Sequence, residues 1–452
     1  MKNPALLPLL LSLLALRAFA ADAPAAKEPP VEWVDPATGH RVVRLSREPG
    51  SASLYFHQNA YSPDGRKLVM TTPHGVSTIN LATREIESVV EGRVNVIVVG
   101  RRSGDVYYSK RVDKNGASEQ WIYATNLDTK ATREIGRVPR GGVSSLNADE
   151  TLMLGQYSEG GDPRPAGERG ASGSSAGQPA AAGASPTFQA AYKANWPDGT
   201  PMSYADAKDL ALHNRLMEIR QGPPQVIFTF DTRTGAVKEV HKEREWLGHL
   251  QFSPTDPGQI MFCHEGTWHE VDRVWLIRTD GTGLQNIHRR TMNMEIAGHE
   301  FFSADGKTVW YDLQTPRGED FWLGGYEIAT GRRTWYHLQR DEWSVHFNVS
   351  PDGTLFAGDG GDEQMVAHAK DGEWIYLFRP ERIPDVAGVS NPNAGSLINP
   401  GVFKSERLVK MLDHEYRLEP NVSFSPDMKW IIFRSNMHGA THVYAVEIAK
   451  AR

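Results

Sequence analysis

The chain reads as an all-β protein, a seven-bladed β-propeller, on three observations. A Ser-Pro-Asp-Gly-type turn recurs: Ser62-Pro63-Asp64-Gly65, Ser253-Pro254, Ser303-Ala304-Asp305-Gly306, Ser350-Pro351-Asp352-Gly353 and Ser425-Pro426-Asp427. The units that carry it repeat at roughly 40 to 50 residues, the period of a propeller blade. A lone strand-like run, His40 to Leu45, lies ahead of the first unit and is available to complete the last one. Closing a ring in this way removes exposed sheet edges.

Taken in order, the units start near Tyr55, Val94, Val143, His249, His299, His346 and Asn421. Each opens on an apolar strand and turns, and a second strand follows, such as Lys67 to Thr71. Hairpin signals join the outer strands at Ala82-Thr83-Arg84, Leu127-Asp128-Thr129, Asp231-Thr232-Arg233-Thr234-Gly235, Asp280-Gly281-Thr282-Gly283 and Ala329-Thr330-Gly331. These are turn residues between alternating apolar runs. The propeller is expected over residues 33–452. Glu159 to Gln221 interrupts the third unit. Within it Ala166 to Pro186 is Gly/Ala/Ser-rich and expected to be disordered. Ser203 to Arg220 has helical spacing (Ala207, Leu210, Leu212, Leu216) and is expected to cover one face as a lid. A second insertion is expected from Pro380 to Lys410.

The polar residues at the strand starts carry the functional argument. Counting back from the turn serine, His249, His299, His346 and Asn421 each sit four residues earlier, and His57 sits five earlier. Side-chain direction in a strand has period two, so equal offsets from equivalent turns share a face. Around a ring they would converge at one height. Glu419, two residues before Asn421, falls on the same side. Histidine, glutamate and asparagine together offer nitrogen and oxygen ligands for a divalent ion such as Mn²⁺ or Ca²⁺. With no cysteine expected nearby, a thiolate zinc site is set aside. Any one of these histidines is more often a satisfied core or surface residue; four polar side chains at one offset are the signal.

Composition narrows the partners. Net charge is −6 over 452 residues. Losing Lys2 and Arg17 with residues 1–20 leaves 47 basic against 55 acidic side chains, net −8. A nucleic-acid partner usually wants a basic surface. Lys2, the apolar run Leu6 to Leu16 and Ala18-Phe19-Ala20 form the pattern of a secretory signal over residues 1–20, so a periplasmic or secreted protein is expected. The run is short for a membrane span. Cys263 is the single cysteine, so no intramolecular disulfide is available. Arg215, Arg220, His288, Arg289, Arg290 and Arg417 are candidates for a carboxylate partner.

Two short motifs carry less. Gly173-Ser174-Ser175-Ala176-Gly177 matches a hydrolase pattern but lies in linker rather than at a strand-to-helix turn. His264-Glu265-Gly266-Thr267-Trp268-His269 spaces its histidines by five, where a zinc-protease helix needs four. A loop at the ring mouth, with His264 towards substrate, competes there with a plain structural loop.

Four segments in the same order resemble the oligogalacturonate lyase family: Trp246-Leu247-Gly248-His249, Phe262-Cys263-His264-Glu265-Gly266, Gly298-His299-Glu300-Phe301 and Gly358-Asp359-Gly360-Gly361-Asp362. The resemblance runs from about Trp33 and is firmest from Trp246 to Asp362. It implies a seven-bladed propeller that cleaves short pectin fragments by β-elimination, with a Mn²⁺-type ion on the axis. It also implies His249 as catalytic base and His299 as a metal ligand. The family's other ligands read Gln-x-x-His-x-His; the matching positions here are Tyr416, Glu419 and Asn421. That departure favours a harder, oxygen-preferring ion, with His346 or His414 supplying a missing nitrogen. The implied cage is His299, His346, Glu419 and Asn421. Arg215 and His264 join it towards substrate, and Tyr416, His57 or water would protonate the leaving oxygen. Two other readings stay open: a lyase or hydrolase acting on a different acidic polysaccharide, and a non-catalytic TolB-like binding propeller, which needs no axial cage.

Overall fold

The computed structural model describes residues 28–451 apart from 115–116, 161–191, 364, 385 and 390. The chain divides into Met1–Pro30 and Val31–Arg452, and every element below belongs to the second unit. The signal-like residues 1–20, the low-complexity stretch 166–186 and the Gly173–Gly177 motif lie outside the described residues.

Among the described residues six sheets hold seven blades, and pairing within each blade is antiparallel. Their first strands are Ala52–Ser53, Asn95–Val99, Gly142–Leu146, Leu247–Phe252, Ile296–Phe302, Phe347–Val349 and Ser423–Phe424. Each starts within three residues of its expected place. Blades 5 and 6 share one sheet because their outer strands, Arg333–Leu338 and Asn399–Lys410, pair in parallel, with Thr334 opposite Asn399. In blade 7 the strand His40–Arg44 pairs with His442–Lys450, Val42 opposite Val446, and Glu32–Val34 adds a further edge. The ring is therefore closed by the N-terminal strand.

The recurring serine turns are built from their own side chains. In four of them the serine hydroxyl donates to the aspartate two residues on, at 2.6 Å in each of Ser62, Ser303, Ser350 and Ser425. The serine oxygen also accepts the N–H that opens the next strand, as Thr308 to Ser303 at 3.0 Å. Between blades the core is apolar. Met261, Leu276, Val309, Tyr311 and Leu313 form one such cluster between blades 4 and 5. Each such side chain contributes about 1.5–3 kcal/mol by leaving water.

One expectation changes. The segment Pro380–Lys410 is blade structure at both ends: Trp374–Arg382 and Asn399–Lys410 are paired strands of blade 6. Pro380 and Pro400 hid this, because proline inside a strand reads as a breaker. The interruption of blade 3 is real. Ser158 pairs directly with Gln225, so Glu159–Gln221 is an excursion at a hairpin tip. It carries the helix Tyr204–Gln221, whose start is capped by Ser203 accepting the Asp206 N–H at 3.1 Å. Among the described residues no helix is long and apolar enough to cross a membrane.

Candidate functional site

The histidines converge, but not through regular strand alternation. His249 (φ 48°), His299 (φ 45°) and Asn421 (φ 55°) have left-handed backbones, as does Glu419 (φ 45°). The inner strands of blades 4 and 5 break register at Gly248/Gln251 and Gly298/Phe301. Such bulges re-aim side chains, and non-glycine residues with positive φ concentrate at functional sites. The preceding glycine has a separate reason. A Cβ on Gly298 would lie 2.9 Å from Asp312 Oδ1, and one on Gly248 would lie 2.6 Å from Glu265 Oε1. Each Gly-His pair thus makes room for a carboxylate beside its own imidazole.

Two imidazoles form the candidate cation cage. His299 Nδ1 donates to Asp312 Oδ1 at 2.8 Å, and His346 Nδ1 donates to Asp359 Oδ2 at 2.8 Å. The carboxylates place the protons on Nδ1, which leaves both Nε2 lone pairs as ligands. The two rings are 4.8 Å apart between centroids. His346 Nε2 faces the Tyr55 hydroxyl at 3.2 Å and Glu419 Oε2 at 4.0 Å. Asp359, fully buried, also accepts the His346 N–H at 2.8 Å. Burial alone would lower the His346 pKa, but Asp359 outweighs it and the net shift is upward. Two nitrogens and a carboxylate, each nitrogen backed by an aspartate, fit a divalent ion.

His249 sits in a different environment. Glu265 Oε1 is 3.1 Å from its Nε2 and Glu300 Oε1 is 3.5 Å from its Nδ1. Arg273 bridges both acids, at 3.1 Å to Glu265 and 3.2 Å to Glu300. Burial lowers the His249 pKa, although both carboxylates pull the other way. Burial would raise Glu300, yet Arg273 and then His249 hold it near 2. The result is a neutral imidazole among fixed, compensated charges.

Cys263 also lies here, contrary to the expectation that no cysteine is near. Ligand atoms of His249, Cys263 and Glu300 all fall within 4.8 Å of one another. Sequence distance concealed it: Cys263 pairs across the blade with Gly248. This trio is a poor cation site, because Arg273 already supplies the positive charge and burial pushes the thiol pKa well up. The Asp-backed pair His299 and His346 is the better cage.

The remaining expected residues separate. His57 stands beside His249, His346 and Glu300, and burial lowers its pKa to about 3. It also lines an axial cavity of about 80 Å³ with Gln58, Ser144, Gln251 and Phe302; the cage residues do not line it. Tyr416 is buried behind His346, its hydroxyl 3.5 Å from Nδ1, and is removed as a donor to a leaving oxygen. Both ends of the Asn421 carboxamide are engaged: Oδ1 accepts the Phe56 N–H at 3.2 Å and Nδ2 donates to the Glu419 carbonyl at 2.9 Å. It braces the cage instead of completing it. His264 turns away to Glu243 at 2.7 Å, while its strand neighbour Glu265 faces His249. Arg215 pairs with Glu218 along its own helix at 3.2 Å. His414 meets Ser435 at 3.0 Å, and its Nε2 lies 3.9 Å from Glu373. Sequence reasoning assigned no role to Asp312, Asp359, Glu265, Glu300 or Arg273. Asp359 stood in the Gly358–Asp362 segment and Glu300 directly after His299, but neither spacing revealed a histidine partner.

The inserted helix does lie over the site's border. The Asp209 carbonyl accepts from Thr267 at 3.2 Å, the Asp209 carboxylate pairs with Arg317, and His213 meets Glu270 at 2.9 Å. Leu216 packs against Gly266.

Fold and site together define the class: a β-propeller whose inner strands bring buried imidazoles and carboxylates together. The model of the oligogalacturonate lyase family matches residues 199–451. The chain belongs to that family. The oligogalacturonate lyase of Dickeya dadantii is 24% identical over 430 residues, covering 92% of this chain and 95% of its own. The oligogalacturonide lyase of Pectobacterium atrosepticum is 24% identical over 443 residues, with the same coverage. A solved oligogalacturonate lyase in complex with manganese superposes with a TM-score of 0.65 at 21% identity, covering 93% of this chain and 96% of that one.

Proposed function

We propose that this chain cleaves short uronate oligosaccharides by β-elimination, with Mn²⁺ or Ca²⁺ held by His299, His346 and Glu419. The observation that carries the reading is the pair of aspartate-backed imidazoles beside a third, neutral imidazole. A cation held there would neutralise the uronate carboxylate and stabilise the charge that develops next to it. His249 takes the C5 proton on a ring nitrogen. The C5–H electron pair becomes the C4–C5 double bond, the C4–O bond breaks, and the leaving oxygen receives a proton from water, since burial keeps His57 neutral. Glu265 and Glu300 then face the imidazolium, while Arg273 keeps them compensated beforehand. The products are a shortened oligosaccharide and a 4,5-unsaturated sugar. A protein-binding propeller needs neither the cage nor the base.

Export to the periplasm or beyond is part of the same proposal, supported by Lys2, the Leu6 to Leu16 run and Ala18-Phe19-Ala20; mature N-terminal sequencing tests it. For the reaction, digalacturonate and trigalacturonate are supplied with Mn²⁺, with Ca²⁺ and with chelator. Absorbance is followed near about 235 nm, where the unsaturated product of metal-assisted elimination absorbs. Signal with metal, loss with chelator and loss in His249→Ala support the reading. Full activity in His249→Ala removes His249 as base.

A further inference from the structure

We propose that the axial cavity is a second binding site, for a small oxyanion, with Arg101 as its anchor. Inorganic phosphate and the carboxylate of a free sugar acid present the same chemistry there: oxygens that a guanidinium can take two at a time. The cavity runs from His57, beside His249 and His346, to Pro254 and Ala304 in the turns of blades 4 and 5. Its volume is about 80 Å³, room for on the order of half a dozen waters. No aspartate or glutamate lines it, and Arg101 is its one lysine or arginine. The cage residues lie outside it, so the site stands apart from the cage.

Blade 2 puts an arginine where other blades put a small apolar residue. In blades 1, 2, 3 and 5 the first turn residue donates its N–H to the carbonyl five residues on: Ser62 to Lys67 at 3.0 Å, Gly100 to Asp105 at 2.8 Å, Asn147 to Leu152 at 2.9 Å and Ser303 to Thr308 at 2.8 Å. The next residue is Pro63, Ala148 and Ala304 in three of these turns and Arg101 in blade 2. The Arg101 turn is held from blade 3, where Glu150 Oε1 accepts the Arg102 N–H at 2.6 Å and the Ser103 N–H at 3.1 Å. Among the described residues nothing pairs with the Arg101 guanidinium. Arg101 keeps contact with solvent, yet the surrounding walls desolvate it enough to lower its pKa, and no carboxylate opposes that shift. A desolvated, unpaired cation is costly, and an arriving anion relieves that cost. Ser145 adds a donor: its oxygen accepts the Phe252 N–H at 2.9 Å, which leaves the hydroxyl proton to a ligand.

Calorimetry on the full-length protein in chelator, which keeps cations out of the cage, tests the site. The probes are inorganic phosphate, galacturonate and, as the uncharged control, galactose. At least one anion should bind and galactose should not. Arg101→Ala should weaken that binding roughly tenfold to a hundredfold, the range for a hydrogen bond to a charged group. Alanine already holds the same turn position as Ala148 and Ala304, so the thermal midpoint should be kept. Arg101→Gln, which keeps bulk and loses charge, should show the same loss, and Arg101→Lys should recover part of it. Binding of phosphate alone identifies an inorganic oxyanion as the ligand class, and binding of galacturonate alone a sugar acid. The inference is overturned if neither anion binds in the millimolar range, if Arg101→Ala and Arg101→Gln bind as the wild type does, or if galactose binds as tightly as galacturonate.

Discussion

Replacing Asp359 by asparagine should disable the cage without unfolding the blade. Asp359 uses both oxygens on one residue: Oδ1 accepts the His346 backbone N–H and Oδ2 accepts the Nδ1 proton, each at 2.8 Å. Asparagine offers one acceptor and one donor. If its oxygen takes the backbone N–H, its amide N–H faces Nδ1, and the ring must carry its proton on Nε2. If the amide is flipped, a donor meets the backbone N–H in a fully buried place, which costs about 1–3 kcal/mol. The first arrangement gives up only the long contact from the Asn421 N–H to Oδ2, at 3.4 Å, so it should prevail, and it removes the Nε2 lone pair. Loss of such a supporting carboxylate costs about 10–100-fold in metal affinity. The upper end, about 2.7 kcal/mol, is expected here because the flipped amide, which alone keeps the Nε2 lone pair, sets its own N–H against the buried His346 N–H. Asp312→Asn provides the contrast. Only one oxygen of Asp312 is engaged by His299, at 2.8 Å, so the amide can turn and the loss should be nearer tenfold. Calorimetric Mn²⁺ titration and the thermal midpoint of the metal-free protein measure both. Wild-type Mn²⁺ affinity in Asp359→Asn would refute the cage.

Three further outcomes are expected. Arg273→Met leaves Glu265 and Glu300 buried without their partner, which should cost on the order of 3–5 kcal/mol and appear in denaturant unfolding. Gly298→Ala places a methyl 2.9 Å from Asp312 Oδ1; the mutant should fold, with Mn²⁺ affinity lowered about tenfold, as for a disturbed supporting carboxylate. The pH dependence follows from His249, which acts when neutral. Burial lowers its pKa from 6.5, so the neutral form persists to lower pH. At saturating metal the acidic limb of kcat/KM should fall below pH 6.5. In the metal-free protein His346 is shifted upward, so Mn²⁺ affinity should weaken as pH drops, starting above 6.5. An acidic limb above 6.5 at saturating metal would contradict the buried base.

The amino-acid order by itself determined the seven blades, the closure by His40–Arg44 and the placing of His249, His299 and His346 at strand starts. All of these depend on local spacing: a turn whose own serine and aspartate satisfy its backbone, and an apolar period that survives in each repeat. What lines the centre was decided only by tertiary structure. Asp312, Asp359, Cys263 and Arg273 reach it across blade strands. His264 leaves it because its neighbour Glu265 takes the inward side, and Asn421 is consumed by the backbone of another blade. The histidines meet through bulged, left-handed backbone and not through the alternation that suggested they would. Spacing along one chain reports which face a residue prefers; which carboxylate stands opposite, and whether a lone pair stays available, is settled when separate blades close on one another.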